Sequence, residues 1–130
     1  MRLVLAYDGS ENARKAVNFA VKVFKAGDEF HLVTVVREAP RSPEQIVIDS
    51  ESKAEDLLQE IEGELRGFRV VKKILESNDV AQAIIDYCRD VECDLIVSGS
   101  RGLTGMRRLV LGSVSKSLLD RSPFPVLVVK

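Results

Sequence analysis

The chain has 130 residues, of which 45% are hydrophobic and 30% charged, a balance typical of one globular domain over residues 1–130. Its 19 Lys and Arg against 20 Asp and Glu leave a formal net charge of −1, so no overall field favours nucleic acid or an anionic membrane. No apolar run approaches the roughly 18 residues that span a bilayer, and Asp8 follows the start too closely for a secretory signal, so we expect a cytoplasmic protein.

The segment up to residue 36 predicts a strand, a helix and a second strand. The apolar run Leu3–Tyr7 is too short for a helix and fits a buried strand. Ser10 is placed to cap the helix at its start and Gly27 to stop it at its end. Between them, apolar residues recur at helical spacing: Ala13, Ala16, Val17, Ala20 and Phe24. The run Phe30–Val36 is the second strand, and we expect His31 within it to be structural.

The middle of the chain predicts a loop, a helix and a third strand. Pro40 and Pro43 mark the loop, and residues 37–50 show no convincing period. The helix that follows carries apolar residues at helical spacing: Ala54, Leu57, Leu58, Ile61 and Leu65. Gly67 closes this helix, and Phe68–Leu75 predicts a strand of less regular pattern.

The last third predicts two helices and two strands. Asn78 or Asp79 caps a helix whose apolar face is formed by Ala81, Ile84, Ile85 and Cys88. A fourth strand at Cys93–Ser98, a helix at about 112–121 and a fifth strand at Val126–Val129 follow. Strands that alternate with helices pair in parallel, which implies a doubly wound, three-layer α/β/α fold. Five such strands usually take the order 3-2-1-4-5.

Two cysteines and one histidine limit the chemistry open to the chain. Cys88 and Cys93 make neither a disulfide framework nor a zinc site, and we expect both to be small buried hydrophobic residues without a redox role. A single histidine excludes Ser-His-Asp catalysis and multi-histidine metal sites unless His31 serves alone.

The segment between the fourth strand and the last helix is the most informative part of the chain. From Gly99 to Ser115 it carries two glycine clusters and ends on a helix start, where unpaired N–H groups and the helix dipole attract anions. Neither G-x-G-x-x-G nor G-x-x-x-x-G-K-[ST] is present. In open α/β sheets, ligands bind beyond the carboxyl ends of the strands where the strand order reverses. Here that point lies between strands 1 and 4, where Asp8 and Gly99 are expected to meet.

The spacing Gly99-x2-Gly102-x9-Gly112-Ser113 resembles the nucleotide-binding signature of the universal stress protein family. Leu3–Ser10 resembles the opening strand and acidic turn of that family, and Ser122–Val129 resembles its closing strand. The resemblance runs essentially from end to end, and the intact glycine signature implies the ATP-binding branch with its adenine nucleotide alpha hydrolase-like fold. Before the third helix, members often carry a Gly and a Pro, where this chain has Ser77-Asn78-Asp79.

The phosphates of ATP are expected at the start of the last helix. The residues expected to hold them share that position, where backbone N–H groups and two hydroxyls point at an anion: Gly112, Ser113, Val114 and Ser115. Gly99 and Gly102 would let the loop pass close under the ribose and α-phosphate.

The ribose and the base are expected at the ends of strands 1 and 2. Asp8 suits a ribose hydroxyl, or a second-shell position beside Mg²⁺ on the phosphates. In the family, the residue equivalent to Val35 and the residues just before the Asp wall the adenine, and here those residues are Ala6 and Tyr7. Ser98 should lie near the base as well.

Each of these residues also has a purely structural interpretation, which the sequence leaves open. Glycines after a strand are typical turn formers, serines are typical helix caps, and Asp8 would serve as a cap on the first helix. Arg101 is a candidate for screening phosphate charge, whereas Arg107 and Arg108 fit a solvated face of the loop.

The sequence supports three hypotheses of function. The main one is a nucleotide-controlled regulatory module that binds ATP and hydrolyses it slowly at best. Only Asp8 and Arg101 are available for phosphoryl transfer, so we assign no catalytic residue and no metal held by the protein. The alternatives are a genuine ATPase or phosphotransferase on the same scaffold, and a nucleotide-free dimerising module.

The last strand bears on oligomerisation. In the order 3-2-1-4-5, residues 125–129 form an edge strand, and an exposed edge is either protected or used for pairing. Members of the family commonly form homodimers through this strand, so we expect a homodimer.

Overall fold

The computed structural model describes residues 1–37, 44–100 and 111–130, with residues 44–51 described by their backbone only. Its elements in chain order are β1 (Arg2–Ala6), α1 (Glu11–Val23), β2 (Glu29–Val36), α2 (Glu44–Glu62), a 3-10 turn (Gly63–Leu65), β3 (Arg69–Glu76), α3 (Val80–Val91), β4 (Leu95–Gly99), α4 (Ser113–Arg121) and β5 (Val126–Val129).

The five strands form one parallel sheet in the order β3-β2-β1-β4-β5, which confirms the predicted fold. In β1, Leu3 lies opposite Phe30 of β2 on one side and Leu95 of β4 on the other. Strands β2 and β3 follow on one side of β1, whereas β4 and β5 follow on its other side, so the strand order reverses between β1 and β4. A crevice is expected at the carboxyl ends of these two strands.

The sheet has a separate core on each face. Leu3, Leu5 and Tyr7 of the first segment pack under α1 and α2, whereas Val4 and Ala6 pack under α3 and α4. A parallel strand buried on both faces reads as a continuous apolar run, which explains why Leu3–Tyr7 is apolar throughout. The alternation also directs the side chain of Tyr7 away from the α3 face.

Helix α2 begins earlier than predicted. The loop expected over residues 37–50 is wrong for its second half, because the helix starts at Glu44, while residues 38–43 with Pro40 and Pro43 lie outside the described part. The run Ile46–Ile48 is β-branched, which lowers helix propensity and hides the helical period. The C-terminal half of α2 is packed, and from it the helix extends toward its N-terminus through this run, since each added residue gains one hydrogen bond.

The prediction of two free cysteines is wrong. Cys88 at the end of α3 and Cys93 before β4 form a disulfide, with their Cα atoms 4.9 Å apart. Glu92 reverses the chain in a left-handed conformation (φ 55°), and the Cys93 N–H then donates to the Cys88 carbonyl at 2.9 Å. The expected burial is confirmed, because both residues are buried. The sulfurs meet through a backbone turn that spacing alone does not reveal.

His31 is buried and belongs to a partly buried polar network at the opposite end of the sheet from the crevice. Its Nε2 is 2.6 Å from Glu29 Oε1, and its Nδ1 is 2.6 Å from the Tyr87 hydroxyl. Arg2 also donates to Glu29, at 3.1 Å. The hydrogen bond from His31 is the main cause that lowers the pKa of Glu29. These contacts join β1, β2 and α3, in keeping with the structural role expected for His31.

Candidate functional site

A crevice of about 440 Å³ opens at the carboxyl ends of β1 and β4. Its volume falls in the range of small-molecule sites. It is lined by Ala6, Tyr7, Asp8, Ser10, Ala13, Val33, Val35, Arg37, Val80, Ile84, Ser98, Gly99, Gly112, Ser113, Val114 and Ser115. Ten of the twelve residues that the sequence predicts for the site are among them, and Arg101 and Gly102 lie outside the described residues.

A tight turn after β1 holds Asp8 at the crevice. Its Oδ1 accepts a hydrogen bond from the Ser10 N–H at 2.9 Å. Gly9 has φ +82°, and a Cβ there would also lie 2.7 Å from Leu57 Cδ2 of α2, so the turn requires glycine. Ser10 caps α1, as predicted, by accepting from the Ala13 N–H at 3.2 Å. The alternative that Asp8 caps this helix is therefore wrong, and its Oδ2 accepts no hydrogen bond from any described residue.

The start of α4 forms the opposite end of the crevice. Gly112 is the N-cap, and the Lys116 N–H is bonded to its carbonyl at 3.0 Å. The first three N–H groups of the helix, from Ser113 to Ser115, consequently have no acceptor within the helix. The Gly112 N–H donates to the Ser100 carbonyl at 2.7 Å, which fixes the helix start against the end of β4. Three N–H groups and the positive end of the dipole thus face one space.

The hydroxyls near this helix start are not equivalent. Ser113 is exposed, whereas Ser115 is buried and donates to the Gly99 carbonyl at 2.6 Å. Ser98 donates to the same carbonyl at 3.0 Å. The expectation of two ligand hydroxyls therefore narrows to one available donor, that of Ser113, because the hydroxyl proton of Ser115 is used inside the protein.

Gly99 is required by packing. A Cβ at this position would lie 2.7 to 2.9 Å from backbone atoms of Asn12 and Ala13 in the first turn of α1. Such contacts are closer than van der Waals packing allows. The glycine therefore lets α1 approach β4, a reason separate from the passage of a ligand that the sequence suggests.

The remaining wall is apolar and comes from β2 and α3. Val33 and Val35 of β2 face Val80 and Ile84 of α3 across the crevice. Tyr7 lines the crevice, but its side chain belongs to the α1–α2 core, and its carbonyl accepts from the Thr34 hydroxyl at 2.8 Å. The contribution of Tyr7 to the crevice is thus through its main chain.

Six lining residues were not predicted from the sequence: Ser10, Ala13, Val33, Arg37, Val80 and Ile84. Two patterns carried a signal for four of them. Val33 and Arg37 share one face of β2 with Val35 at a period of two, and Val80 and Ile84 share one face of α3 at a spacing of four. Neither pattern identifies a site until the fold brings β2 and α3 together.

Two structural features, a cluster of metal-ligating side chains and a membrane-spanning helix, are absent from the described residues. No group of three or more His, Cys, Asp or Glu side chains among them is arranged to hold a metal ion. Within residues 1–37, 44–100 and 111–130, no helix combines the length and apolar character that a bilayer crossing requires.

Comparison with known proteins identifies one family over the whole chain. The model of the Universal stress protein family matches residues 1–130. The stress response protein NhaX of Bacillus subtilis (strain 168) is 31% identical, with 99% of this chain and 97% of the relative covered.

Solved structures share the fold. Hypothetical protein MJ0577, the subject of a structure-based assignment of biochemical function, superposes with a TM-score of 0.80 at 26% identity, covering 99% of this chain and 94% of that one. A universal stress protein in complex with cAMP has a TM-score of 0.77 at 22% identity, covering 100% of this chain and 97% of that one.

Proposed function

This chain belongs to the universal stress protein family, and we propose that residues 1–130 form an ATP-binding domain that acts as a nucleotide-controlled regulatory module. One observation carries the proposal: the N–H groups at the start of α4, which have no acceptor within the helix, and the Asp8 carboxylate share one crevice at the reversal point of the sheet. Anions bind at helix starts, and a carboxylate accepts from ribose hydroxyls. The relative in complex with cAMP supports an adenine nucleotide as the ligand class.

The proposed orientation follows from the chemistry of the two ends. Phosphates lie at the α4 start, where Gly112, Val114 and Ser115 contribute backbone and Ser113 contributes backbone and hydroxyl. Arg101 is proposed to screen the phosphate charge, and Gly102, with Gly99, to let the loop pass close under the ribose and α-phosphate. Asp8 takes the ribose or a Mg²⁺ shell, with the adenine between β2 and α3 in a slot that includes Ala6, Val35 and Ser98.

Slow hydrolysis is proposed because the crevice offers little for phosphoryl transfer. Fast transfer needs positioned cations, a metal ligand and a group that orients the attacking water. Among the described lining residues, only Asp8 and Arg37 are charged. His31 lies at the other end of the sheet, engaged with Glu29 and Tyr87. The protein would then respond to whether ATP is bound, and not to its hydrolysis. A single-turnover assay measures the rate at which bound ATP is hydrolysed, and a slow rate is expected.

Gly112→Val tests the phosphate end. Gly112 has φ −63° and ψ 160°, an extended conformation that valine adopts readily, so the backbone stays unstrained. Its branched side chain would occupy the space in front of the N–H groups that have no acceptor within the helix. We expect ATP affinity to fall more than about 10-fold, or about 1.4 kcal/mol, with Ser113→Ala causing a smaller loss because its backbone donor remains. Titration calorimetry measures both.

Gly63→Val is the matched control for this change. A Cβ at Gly63 meets nothing within 4 Å, and the residue does not line the crevice, so ATP affinity should be unchanged. A folded Gly112→Val protein that binds ATP as tightly as the wild type would show that the phosphates lie elsewhere.

Asp8→Asn tests the ribose end. The amide oxygen can still accept from the Ser10 N–H, so the turn should persist, but an amide donates as well as accepts. We expect the affinity ratio of ATP to 2′-deoxy-ATP, or the dependence of binding on Mg²⁺, to change several-fold. Asp56→Asn, at an exposed position of α2, is the control. Equal ATP and deoxy-ATP affinities in wild type and variant, with and without Mg²⁺, would eliminate both roles of Asp8.

We also propose a homodimer that forms through residues 125–129. The strand β5 lies at one edge of the sheet and consists of apolar residues only. The other edge strand, β3, carries charges that discourage pairing, at Arg69, Lys72, Lys73 and Glu76.

A further inference from the structure

Arg37 is a charged residue of the crevice that the glycine signature does not use. It follows β2 directly, lines the crevice and is exposed. Among the side chains that the structure describes, in residues 1–37, 52–100 and 111–130, none forms a hydrogen bond or an ion pair with its guanidinium. Its donors and its planar face are therefore available to a ligand.

The strand sets the direction of Arg37. Every second residue of a strand lies on the same face of the sheet, so Val33, Val35 and Arg37 share the face that packs against α3. The Ser77 N–H donates to the Val36 carbonyl at 2.9 Å, which extends the β2–β3 ladder to the residue just before Arg37. Arg37 is thus the outermost member of the β2 row, at the mouth of the apolar slot.

The order of the strands separates Arg37 from the phosphate end. Strand β2 is next to β1 and two strands from β4, and neighbouring strands lie about 4.8 Å apart. The start of α4 follows β4, on the far side of β1. Arg37 therefore stands over the part of the crevice where the proposed function puts the base.

The described residues offer the slot no aromatic side chain on which a base can stack. Tyr7 is the only aromatic residue among its described lining residues, and its ring packs in the other core. Purine bases bind well against planar π or guanidinium groups. Among the described lining residues, Arg37 alone carries such a group toward the slot.

We propose that Arg37 is a specificity-determining residue that stacks its guanidinium on the base of a bound purine nucleotide. This inference rests on the proposed function, because it concerns the same crevice. Stacking on a purine covers more ring area than stacking on a pyrimidine, so Arg37 favours ATP over UTP through the base and makes no contribution at the phosphates.

The experiment measures the affinities of ATP, UTP and inorganic triphosphate by calorimetry for the wild type, Arg37→Ala and Arg37→Lys. Arg69→Ala, an exposed arginine of β3 outside the crevice, is the matched control. We expect Arg37→Ala to weaken ATP about 5-fold or more, to narrow the preference for ATP over UTP, and to leave triphosphate unchanged. Arg37→Lys keeps the positive charge but loses the planar guanidinium, so the preference for ATP over UTP should stay as narrow as in Arg37→Ala.

Two results would overturn the stacking role. ATP affinity that does not change in Arg37→Ala would mean that Arg37 does not touch the nucleotide. An equal loss for ATP, UTP and triphosphate, rescued by Arg37→Lys, would mean a phosphate contact instead. A wild-type protein that binds neither ATP nor UTP overturns the proposed function, and this inference falls with it.

Discussion

Gly99→Ala should destabilise the protein by about 3 kcal/mol, although the change adds only one methyl group. The new Cβ would lie 2.7 Å from the Asn12 carbonyl carbon and 2.9 Å from the Ala13 nitrogen. Backbone atoms in the first turn of a helix cannot rotate away as a side chain can, so α1 must move off β4. That movement loosens the core in which Ala13 and Val97 pack. Urea unfolding, followed by circular dichroism, measures the free energy of unfolding.

Gly63→Ala is the control for the loss of glycine as such. Its Cβ would enter open space, so the free energy of unfolding should change by less than about 1 kcal/mol. Equal stabilities of Gly99→Ala and Gly63→Ala would contradict the close packing of α1 on β4. With Gly112→Val, these variants separate two uses of glycine in one signature: Gly99 serves the fold, and Gly112 is proposed to serve the ligand.

The fold was predictable because each element has its own local signal. Parallel strands buried on both faces are short apolar runs, as in Leu3–Tyr7, and helices such as α1 and α3 carry one apolar stripe. The signal fails where a residue's local preference opposes the final structure. The β-branched run Ile46–Ile48 does not look helical, and the Cys88–Cys93 bond depends on the left-handed Glu92 between two elements.

Most of the predicted lining residues lie next to one another in the sequence, whereas Val35 was predicted only through the resemblance to the family. The turn at Asp8 and the α4 start are contiguous motifs, and the structure brings them to one crevice. Val80 and Arg37 come from elements that only the sheet order brings there. The sequence places Ser115 at a helix start, and its hydroxyl was therefore expected to bind the ligand. The spacing does not reveal the acceptor of this hydroxyl, which in the structure is the Gly99 carbonyl.

The outward edge of β5 can be identified from its hydrogen bonds. The carbonyls of Pro125 and Val129 accept from β4 and the residue after it, at Ile96 and Ser100. Backbone groups alternate sides along a strand, so Leu127 also faces β4, whereas the N–H and C=O groups of Val126 and Val128 point away from the sheet.

On each face of the sheet, a helix that contacts β5 carries exposed apolar side chains: α1 on one face and α4 on the other. On one face, Arg14 of α1 pairs with Glu60 of α2, and the opposite flank of α1, on the β5 side, carries Phe19 and Val23, 42% and 52% exposed.

On the other face, Arg121 of α4 binds Asp79 at the start of α3 at 2.9 Å, and Leu119, 46% exposed, lies on the flank away from α3. Arg121 lowers the pKa of Asp79 to about 2, so this pair stays charged at neutral pH. A strand edge that pairs with no other described strand and lies between two exposed apolar flanks is typical of a protein–protein interface.

Val128→Pro should convert the proposed dimer to a monomer without unfolding it. Proline lacks an N–H, and at Val128 the missing group faces the open edge, so the ladder to β4 keeps its bonds. If β5 pairs with β5 of a second copy about a two-fold axis, each copy loses the N–H donor of residue 128. The proline ring also blocks the close approach of the two strands. Val128→Ala keeps the N–H and should remain dimeric, which separates the backbone effect from the side chain. Light scattering at micromolar concentration gives the masses, with circular dichroism as the check on folding. A monomeric wild type, or a Val128→Pro protein that is folded and still dimeric, would reject pairing through this strand.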